Sequence, residues 1–449
     1  MITVKFPSKL FSNLYNDLFS DMSRENGCFL LVSHHKSKNA MIAIVNEIVE
    51  PSFTSWNVCE DSSINPSSSY INEAIMRADT RDQGLIFVHT HPGSLHPPTF
   101  SYIDKQTNRR LLRNISEILP NRVHGSMVFT PSSASGILFD NGANRDIDRL
   151  LILGENLKEF PVKSEKLAGN GPRSGSDSRY DRQRKVLGDI QTKLQNLRIA
   201  IVGLGGTGSS VAVQLAMMGV GNLTLIDFDL VEESNLPKLQ GATKKDVGKA
   251  KVDVIRRHLK KISESNVTAV KADITRDKVI PSVIESDILF GCTDNLTSRA
   301  ILNDISLQYL IPLVDVGSRI HLNEKKDVDN ILIKVQVVTP ENACLWCSGT
   351  LDGVSIMQES IPEDYRKKLE SEGYYKGVGK QPSIVPVNTV AASLGVMKFL
   401  NLIGGLKGPN DSRLQIELME AILVSDTPEQ KDDCICQKRR GVGDLRRIV

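Results

Sequence analysis

The chain reads as an α/β protein: an α+β N-terminal domain, then a Rossmann-like domain on a mostly parallel sheet. Three observations carry this expectation. Short apolar runs divided by polar turns fill residues 1–160, a Gly-, Ser- and Lys-rich stretch follows, and from Arg179 apolar strands alternate with helical periodicity. A length of 449 residues exceeds one ordinary core. The expected division is a domain over 1–160, a linker over 161–178 and a second domain over 179–449.

Each element follows from its pattern. Leu10, Leu14, Leu18 and Met22 recur at four-residue intervals and predict an amphipathic helix over 10–22. Apolar runs at 28–32, 41–45, 85–88, 126–129 and 135–139 predict strands. Residues 164–178 hold no large apolar run and read as a linker, the alternative being a long surface loop. Residues 185–197 predict a helix, 198–202 a strand, 209–218 a helix and 222–226 a strand ending at Asp227. Helical periodicity covers 247–262, and extended segments are expected at 268–270 and 288–290. The alternation predicts a parallel sheet with helices on both faces.

Composition removes several function classes. A net charge of +2 is too small to argue for nucleic acid or an anionic membrane as partner. No apolar stretch is expected to span a bilayer, and the start Met1-Ile2-Thr3-Val4-Lys5 lacks a signal-peptide pattern, so the default location is the cytoplasm. Of seven cysteines, four form two close pairs, Cys344/Cys347 and Cys434/Cys436. Such pairs suit a tetrahedral Zn²⁺ better than disulfides.

The first motif is Gly203-Leu204-Gly205-Gly206-Thr207-Gly208, between a strand and a helix. Glycines there let backbone N–H groups approach phosphate, and Asp227 at the next strand end suits a ribose hydroxyl. These facts alone fit a dinucleotide-binding dehydrogenase equally well. The residues around them narrow the choice: Arg179-Tyr180-Asp181-Arg182-Gln183, then Asp227-Phe228-Asp229, Ser234-Asn235-Leu236, Asp246 to Lys251, and Cys292-Thr293-Asp294-Asn295 with Arg299 and Asn303 beyond. This ordered series resembles the ThiF/MoeB/HesA family, relatives of ubiquitin-activating enzymes, over about 179–436.

The resemblance implies ATP-dependent adenylation of a carboxylate. It places Gly203, Gly205, Gly206, Gly208, Asp227, Asp229, Asn235, Lys238, Lys251, Asp294 and Asn295 at the nucleotide. Asp227 would hold the ribose, Asn235, Lys238 and Lys251 the phosphates, and Asp294 the Mg²⁺ and triphosphate. Arg182 matches an arginine that reaches the nucleotide from the other subunit, which implies a homodimer. Where the family usually has Arg-Gln this chain has Lys238-Leu239, which keeps the charge and loses the bidentate fork. The cysteine pairs match a structural zinc site, with one residue instead of two inside the second pair. Cys28 falls in a predicted strand of the N-terminal domain, Cys59 lies in the same domain, Cys292 at a strand end reads as a packed thiol, and the segment after Tyr375 has no cysteine. An acyl-adenylate without a thioester on this chain is therefore expected.

The second motif lies upstream. His89 and His91, two apart at a strand end, project the same way. Ser101 and Asp104, three apart, share one face at a helix start. Two imidazoles and a carboxylate leave one position of a zinc ion for water, and Glu25 is the candidate general base. The pattern resembles JAMM (JAB/MPN) metalloproteases, which include deubiquitinases, over about 1–150. The resemblance implies His89, His91 and Asp104 as zinc ligands, Ser101 as oxyanion support and Glu25 as base. Nine residues, 92–100, separate His91 from Ser101 where that family usually has seven. His34, His35 and His96 read as loop or surface residues.

Together the two resemblances imply a bifunctional enzyme of a prokaryotic ubiquitin-like system, with antiviral defence as one setting. One part would adenylate the C-terminal glycine of a ubiquitin-like protein, and the other would trim or deconjugate it. A conjugating enzyme is a further implied partner. Sulfur-carrier activation for thiamine or molybdopterin synthesis, peptide adenylation, and a degenerate scaffold remain the alternatives.

Overall fold

Two sheets organise the chain in the computed structural model, which describes residues 1–52, 54–60, 63–94, 98–140, 142–163, 178–359, 361–362, 365, 382–406 and 411–446. The chain separates into two units. The first holds Met1–Gly175 with Gln308–Leu310 and Arg440–Arg447, and the second holds Ser176–Leu307 and Ile311–Arg439. Most of the expected linker, 164–177, lies outside the described residues. Its first residues belong to the first unit, because Val162 bridges to Ala134.

The first unit runs β1 (Ile2–Pro7), α1 (Ser8–Leu18), β2 (Gly27–Lys36), β3 (Met41–Val49), β4 (Trp56–Glu60), β5 (Ser63–Pro66), α2 (Ser68–Thr80), β6 (Gly84–Thr90), α3 (Tyr102–Ile118), β7 (His124–Phe129), β8 (Ala134–Asp140), β9 (Ala143–Asp146), β10 (Arg149–Leu153) and β11 (Leu157–Phe160). Nine strands form one mixed sheet in the order β11-β10-β1-β3-β2-β6-β7-β8-β9, and β4-β5 is a separate hairpin. Strand β2 is central and buried on both faces. Its Cys28, Leu30 and Val32 pack with Phe11, Leu14 and Leu18 of α1. Its Phe29 and Leu31 pack with Tyr70 and Ala74 of α2 and with Leu111 and Ile115 of α3. A continuous apolar run is what a strand covered on both sides requires.

Two expectations are corrected here. Helix α1 stops at Leu18, leaving Met22 exposed. His34 and His35 are strand residues of β2, half-buried and buried, rather than loop residues. The strand simply continues past its apolar half. His96 lies outside the described residues.

The second unit runs α4 (Asp181–Leu187), α5 (Ile190–Asn196), β12 (Arg198–Val202), α6 (Gly206–Met217), β13 (Asn222–Ile226), α7 (Lys251–Ile262), β14 (Asn266–Val270), α8 (Ile280–Ile284), β15 (Ile288–Gly291), α9 (Leu296–Gln308), β16 (Leu313–Leu322), β17 (Val328–Val338), α10 (Gly353–Glu359), α11 (Val385–Leu402), β18 (Arg413–Glu417), β19 (Ile422–Asp426) and α12 (Cys436–Arg439). The sheet order is β14-β13-β12-β15-β16-β17-β18-β19. Pairs from β14 to β16 are parallel and pairs from β16 to β19 antiparallel. The parallel half reverses direction at β12, the place where open α/β sheets leave a crevice at their strand ends.

The helix expected over 185–197 is two helices, broken at Gly188, whose φ of +53° favours glycine. The helix expected over 247–262 starts only at Lys251, because Gly248 takes φ +85°. One described helix, α11, has the length and mean hydropathy, 1.2, of a membrane span, contrary to the expectation that none would. It packs against α6, β16 and β17, and a side chain at its Gly395 would strike Val316. That contact explains its apolar composition.

Candidate functional site

In the first unit the sheet register assembles a cluster. Strands β2 and β6 are antiparallel, and Gly27 faces His89. Glu25 and His91 lie just beyond this last rung, where the Glu25 N–H donates to the Glu60 carbonyl and the His91 N–H to the Phe129 carbonyl. His89 follows Phe87 onto the α2/α3 face of the sheet, where the two rings stack at 5.9 Å. Helix α3 then brings Asp104 in on its first turn, fixed by a reciprocal capping box with Ser101. Asp104 Oδ1 lies 3.4 Å from His89 Nε2, Asp104 Oδ2 lies 3.5 Å from His91 Nε2, and Glu25 Oε1 lies 3.4 Å from His91 Nε2.

Glu25 is almost fully buried, and burial pushes its carboxyl up to about 7. Burial also lowers the His89 imidazole, whereas the Asp104 carboxylate raises His91. Burial opposes ionisation of Asp104, but the two histidines outweigh it and hold its carboxyl well below the usual range. Both ring nitrogens of His89 are buried without a hydrogen-bond partner. Unsatisfied buried nitrogens are costly, and a cation would satisfy one of them. Glu25, His89 and His91 can each offer a donor atom within 4.8 Å of the others. Ser101 Oγ accepts from the Asp104 N–H at 3.1 Å, so the hydroxyl hydrogen is left to donate.

The second cluster sits at the ends of β12, β13 and β15. Gly203 has φ +86°, and a Cβ there would meet the Cys292 carbonyl oxygen at 2.6 Å. The glycine turn and the loop bearing Thr293 and Asp294 are thus in backbone contact. A Cβ at Gly206 would strike Asn388, whereas one at Gly205 would meet nothing within 4 Å. Gly205 caps α6 and presents open backbone at a helix N-terminus.

Asp227 Oδ2 accepts from the Leu204 N–H at 2.6 Å and Oδ1 from the Asp229 N–H at 2.8 Å. Burial raises its carboxyl, partly offset by Lys251. Lys251 is nearly buried, and its Nζ donates to Asp229 Oδ2 at 2.7 Å. Lys238 and Asn235 are half-buried, and Asn235 Oδ1 accepts from the Glu232 N–H at 3.1 Å, leaving its amide hydrogens to donate. Arg182 and Asp294 are exposed. Asn295 Oδ1 caps α9 through the Ser298 N–H at 2.7 Å. The carboxylate of Glu359, which the sequence does not single out, accepts from the Leu296 N–H at 2.8 Å and the Thr297 N–H at 3.1 Å. Burial of its sulfur lifts the Cys292 thiol far above its ordinary range, as a packed thiol would be.

The four paired cysteines meet. Cys344 Sγ lies 3.6 Å from both Cys347 Sγ and Cys434 Sγ, and Cys347 Sγ lies 3.6 Å from Cys436 Sγ. A tetrahedron with Zn–S bonds of about 2.3 Å has sulfur–sulfur edges of about 3.8 Å. The cluster therefore fits a zinc ion. Contact with Cys436 and the neighbouring thiols holds the Cys344 thiol below its ordinary range, whereas burial raises that of Cys434.

One family model matches within the second unit. The family model described as ThiF family matches residues 180–437. The molybdopterin-synthase adenylyltransferase of Escherichia coli (strain K12) is 39% identical over 140 residues, 30% of this chain and 56% of that protein. The sulfur carrier protein ThiS adenylyltransferase of the same organism is 34% identical over 145 residues, 31% of this chain and 57% of that protein. The chain thus spans about half the length of these relatives. A crystal structure of E. coli MccB with MccA-N7isoASN superposes with a TM-score of 0.47 and 24% identity, over 60% of this chain and 79% of that one. With the family model covering more than half its length, the chain belongs to the ThiF family.

Proposed function

We propose that the second unit catalyses ATP-dependent adenylation of the C-terminal carboxylate of a small sulfur-carrier or ubiquitin-like protein. Family membership together with the converging Gly203–Gly208 turn, Lys251 and Asp294 carries this reading. The relatives' names, adenylyltransferases for molybdopterin synthase and for a sulfur carrier, favour the sulfur-carrier class. One carboxylate oxygen of the substrate attacks the α-phosphorus of ATP, the bond from that phosphorus to the β-phosphate oxygen breaks, and pyrophosphate leaves. Two anions approach each other in this step, so cations aimed at the phosphates lower its barrier. Lys251 serves that role by dividing its ammonium between Asp229 and the triphosphate. Mg²⁺ held by Asp294 would neutralise phosphate charge. Exposed Met217, Val390 and Met397 on the packed helices α6 and α11 offer an apolar surface for a homodimer, with Arg182 as the residue donated across it.

The test is ATP–pyrophosphate exchange dependent on a carrier protein. Asp294→Ala is expected to lower exchange by about 100-fold or more. Exchange at the wild-type rate in that variant would sink the assignment.

For the first unit we infer a JAMM-like zinc peptidase that trims or releases the same carrier. The convergence of Glu25, His89, His91 and Asp104 supports it. Zinc held by His89, His91 and Asp104 would polarise the scissile carbonyl and activate water. Glu25 is placed to take the water's proton and pass it to the leaving amine. His89→Ala is expected to stop cleavage of a carrier bearing a C-terminal extension, read by mass spectrometry, while exchange continues. Cleavage that persists in this variant counts against the reading.

A further inference from the structure

One face of the antiparallel extension carries charges next to the adenylation site, and Arg299 Nε there donates to the Thr293 carbonyl oxygen at 3.2 Å. Gly317 of β16 pairs with Lys334 of β17, which pairs with Gln415 of β18. One step away on the same face, Asp315 pairs with Gln336, and Gln336 with Arg413. The opposite face is taken by α11. Arg299 reaches onto this face from α9: a Cβ on Gly317 would stand 2.4 Å from its Nη2. Directly opposed residues in a sheet are about 5 Å apart at Cβ, so the Arg299 guanidinium and the Lys334 stem converge over one glycine.

Their partners do not balance them. Arg413 is held by Asp426, through Nε at 2.7 Å and through Nη2. Arg299 Nη1 is 3.5 Å from Asp315 Oδ2, and neither oxygen of the buried Asp315 carboxylate has a hydrogen-bond partner. Lys334 Nζ donates to Thr350 Oγ1 at 2.6 Å, a neutral group. Among the described residues no carboxylate lies within ion-pair distance of Lys334. Burial, reinforced by Arg413, brings its ammonium down to about 8. Among the described residues, four cations, Arg299, Arg319, Lys334 and Arg413, thus share this face with three carboxylates, Asp315, Glu417 and Asp426. One further anion would complete the set. The bare Gly317 is what admits the Arg299 guanidinium to this face, beside the Lys334 strand.

The place of this cluster says which anion. Parallel pairing sets Gly291, the last residue of β15, beside Asp315. Gly317 therefore stands two residues, about 7 Å, beyond the strand end from which Thr293 and Asp294 hang. Lys334 is on the third strand from β12, about 14 Å across the sheet from the glycine turn, too far to share its phosphates. A chain whose terminal carboxylate reacts at Asp294 would cross this face on its way out.

We propose that Arg299 and Lys334, meeting over Gly317, bind a carboxylate side chain in the C-terminal tail of the protein substrate, a few residues before its reacting end. This rests on the adenylation reading and narrows it to carriers with an acidic residue near the terminus. The site selects tails by charge, and a tail with glutamine at that position is disfavoured.

The test uses the full-length protein and synthetic heptapeptides ending in Gly-Gly. Each carries one glutamate at the third, fourth or fifth position from the end, and each has a glutamine counterpart. Binding is measured calorimetrically without ATP, and the same peptides are then tried in pyrophosphate exchange. One glutamate position is expected to bind about 10-fold more tightly than its glutamine counterpart, as a charge-assisted bond in a half-buried site gives. Lys334→Met should bring that ratio to about one without weakening the glutamine peptide, and Lys334→Arg should restore part of it. Equal binding of all pairs, no binding at millimolar peptide, or a preference that survives Lys334→Met would overturn the proposal. Loss of glutamate binding on adding pyrophosphate would assign the site to nucleotide phosphates and also overturn it. A glutamate preference with no exchange from any peptide would leave the site standing and remove the adenylation reading instead.

Discussion

A methyl group at Gly208 would stand 1.8 Å from the Gly203 carbonyl oxygen, closer than any packing allows. Gly208→Ala must move the turn or the helix and should cost about 2–4 kcal/mol, read as a lower midpoint in urea unfolding. A midpoint unchanged from wild type would mean that the turn relaxes freely. Single residues are where sequence served best. Glu25, His89, His91 and Asp104 were all named from spacing and residue type, and all four converge. Glu359 and Lys334 were not. Each acts through contacts with chain far away, Glu359 with α9 some 60 residues earlier and Lys334 with Arg299 through a shared glycine. No local pattern marks either one, although a lysine amid Ile331, Ile333 and Val335 departs from the apolar run around it.

At the level of elements, strands with continuous apolar runs, such as β2, β6, β12 and β15, were legible because burial on both faces demands that composition. Strands β18 and β19 were not, since their residues are half-buried or exposed and mix polar with apolar types. Helix ends were misplaced where glycines with positive φ, Gly188 and Gly248, broke a periodic pattern early. The knuckle of Cys344, Cys347, Cys434 and Cys436 ties the loop after β17 to the segment after β19. Zinc there would couple chain segments 90 residues apart. Cys347→Ser is therefore expected to release zinc and to lower the unfolding temperature of the second unit by several degrees, measured calorimetrically with metal analysis. Full zinc retention would contradict the four-thiolate assignment.

Over the whole molecule, each unit has its own sheet, and the first unit takes in Gln308–Leu310 and Arg440–Arg447, which no division by position along the chain anticipates. The alternation of strand and helix after Arg179 foretold the parallel half of the second sheet. It did not foretell that β16 runs on past that half to seed three antiparallel strands. Such an extension depends on pairings between distant segments, and periodicity carries no record of which strands pair.

The pairing of Gly27 with His89 has one more consequence. Glu25 and His91 meet just past the last rung of a single ladder, each two residues beyond the Gly27–His89 pair, so that pair fixes how far apart they stand. Insertions in the turn between β2 and β3 leave that rung untouched, so that turn is free to drift in length among descendants of this gene. A one-residue deletion between Glu25 and Phe29 would instead draw Glu25 one residue closer to the ladder and turn its carboxylate to the opposite side of the sheet. Chain length is under tight restraint in one short stretch and lax immediately after it.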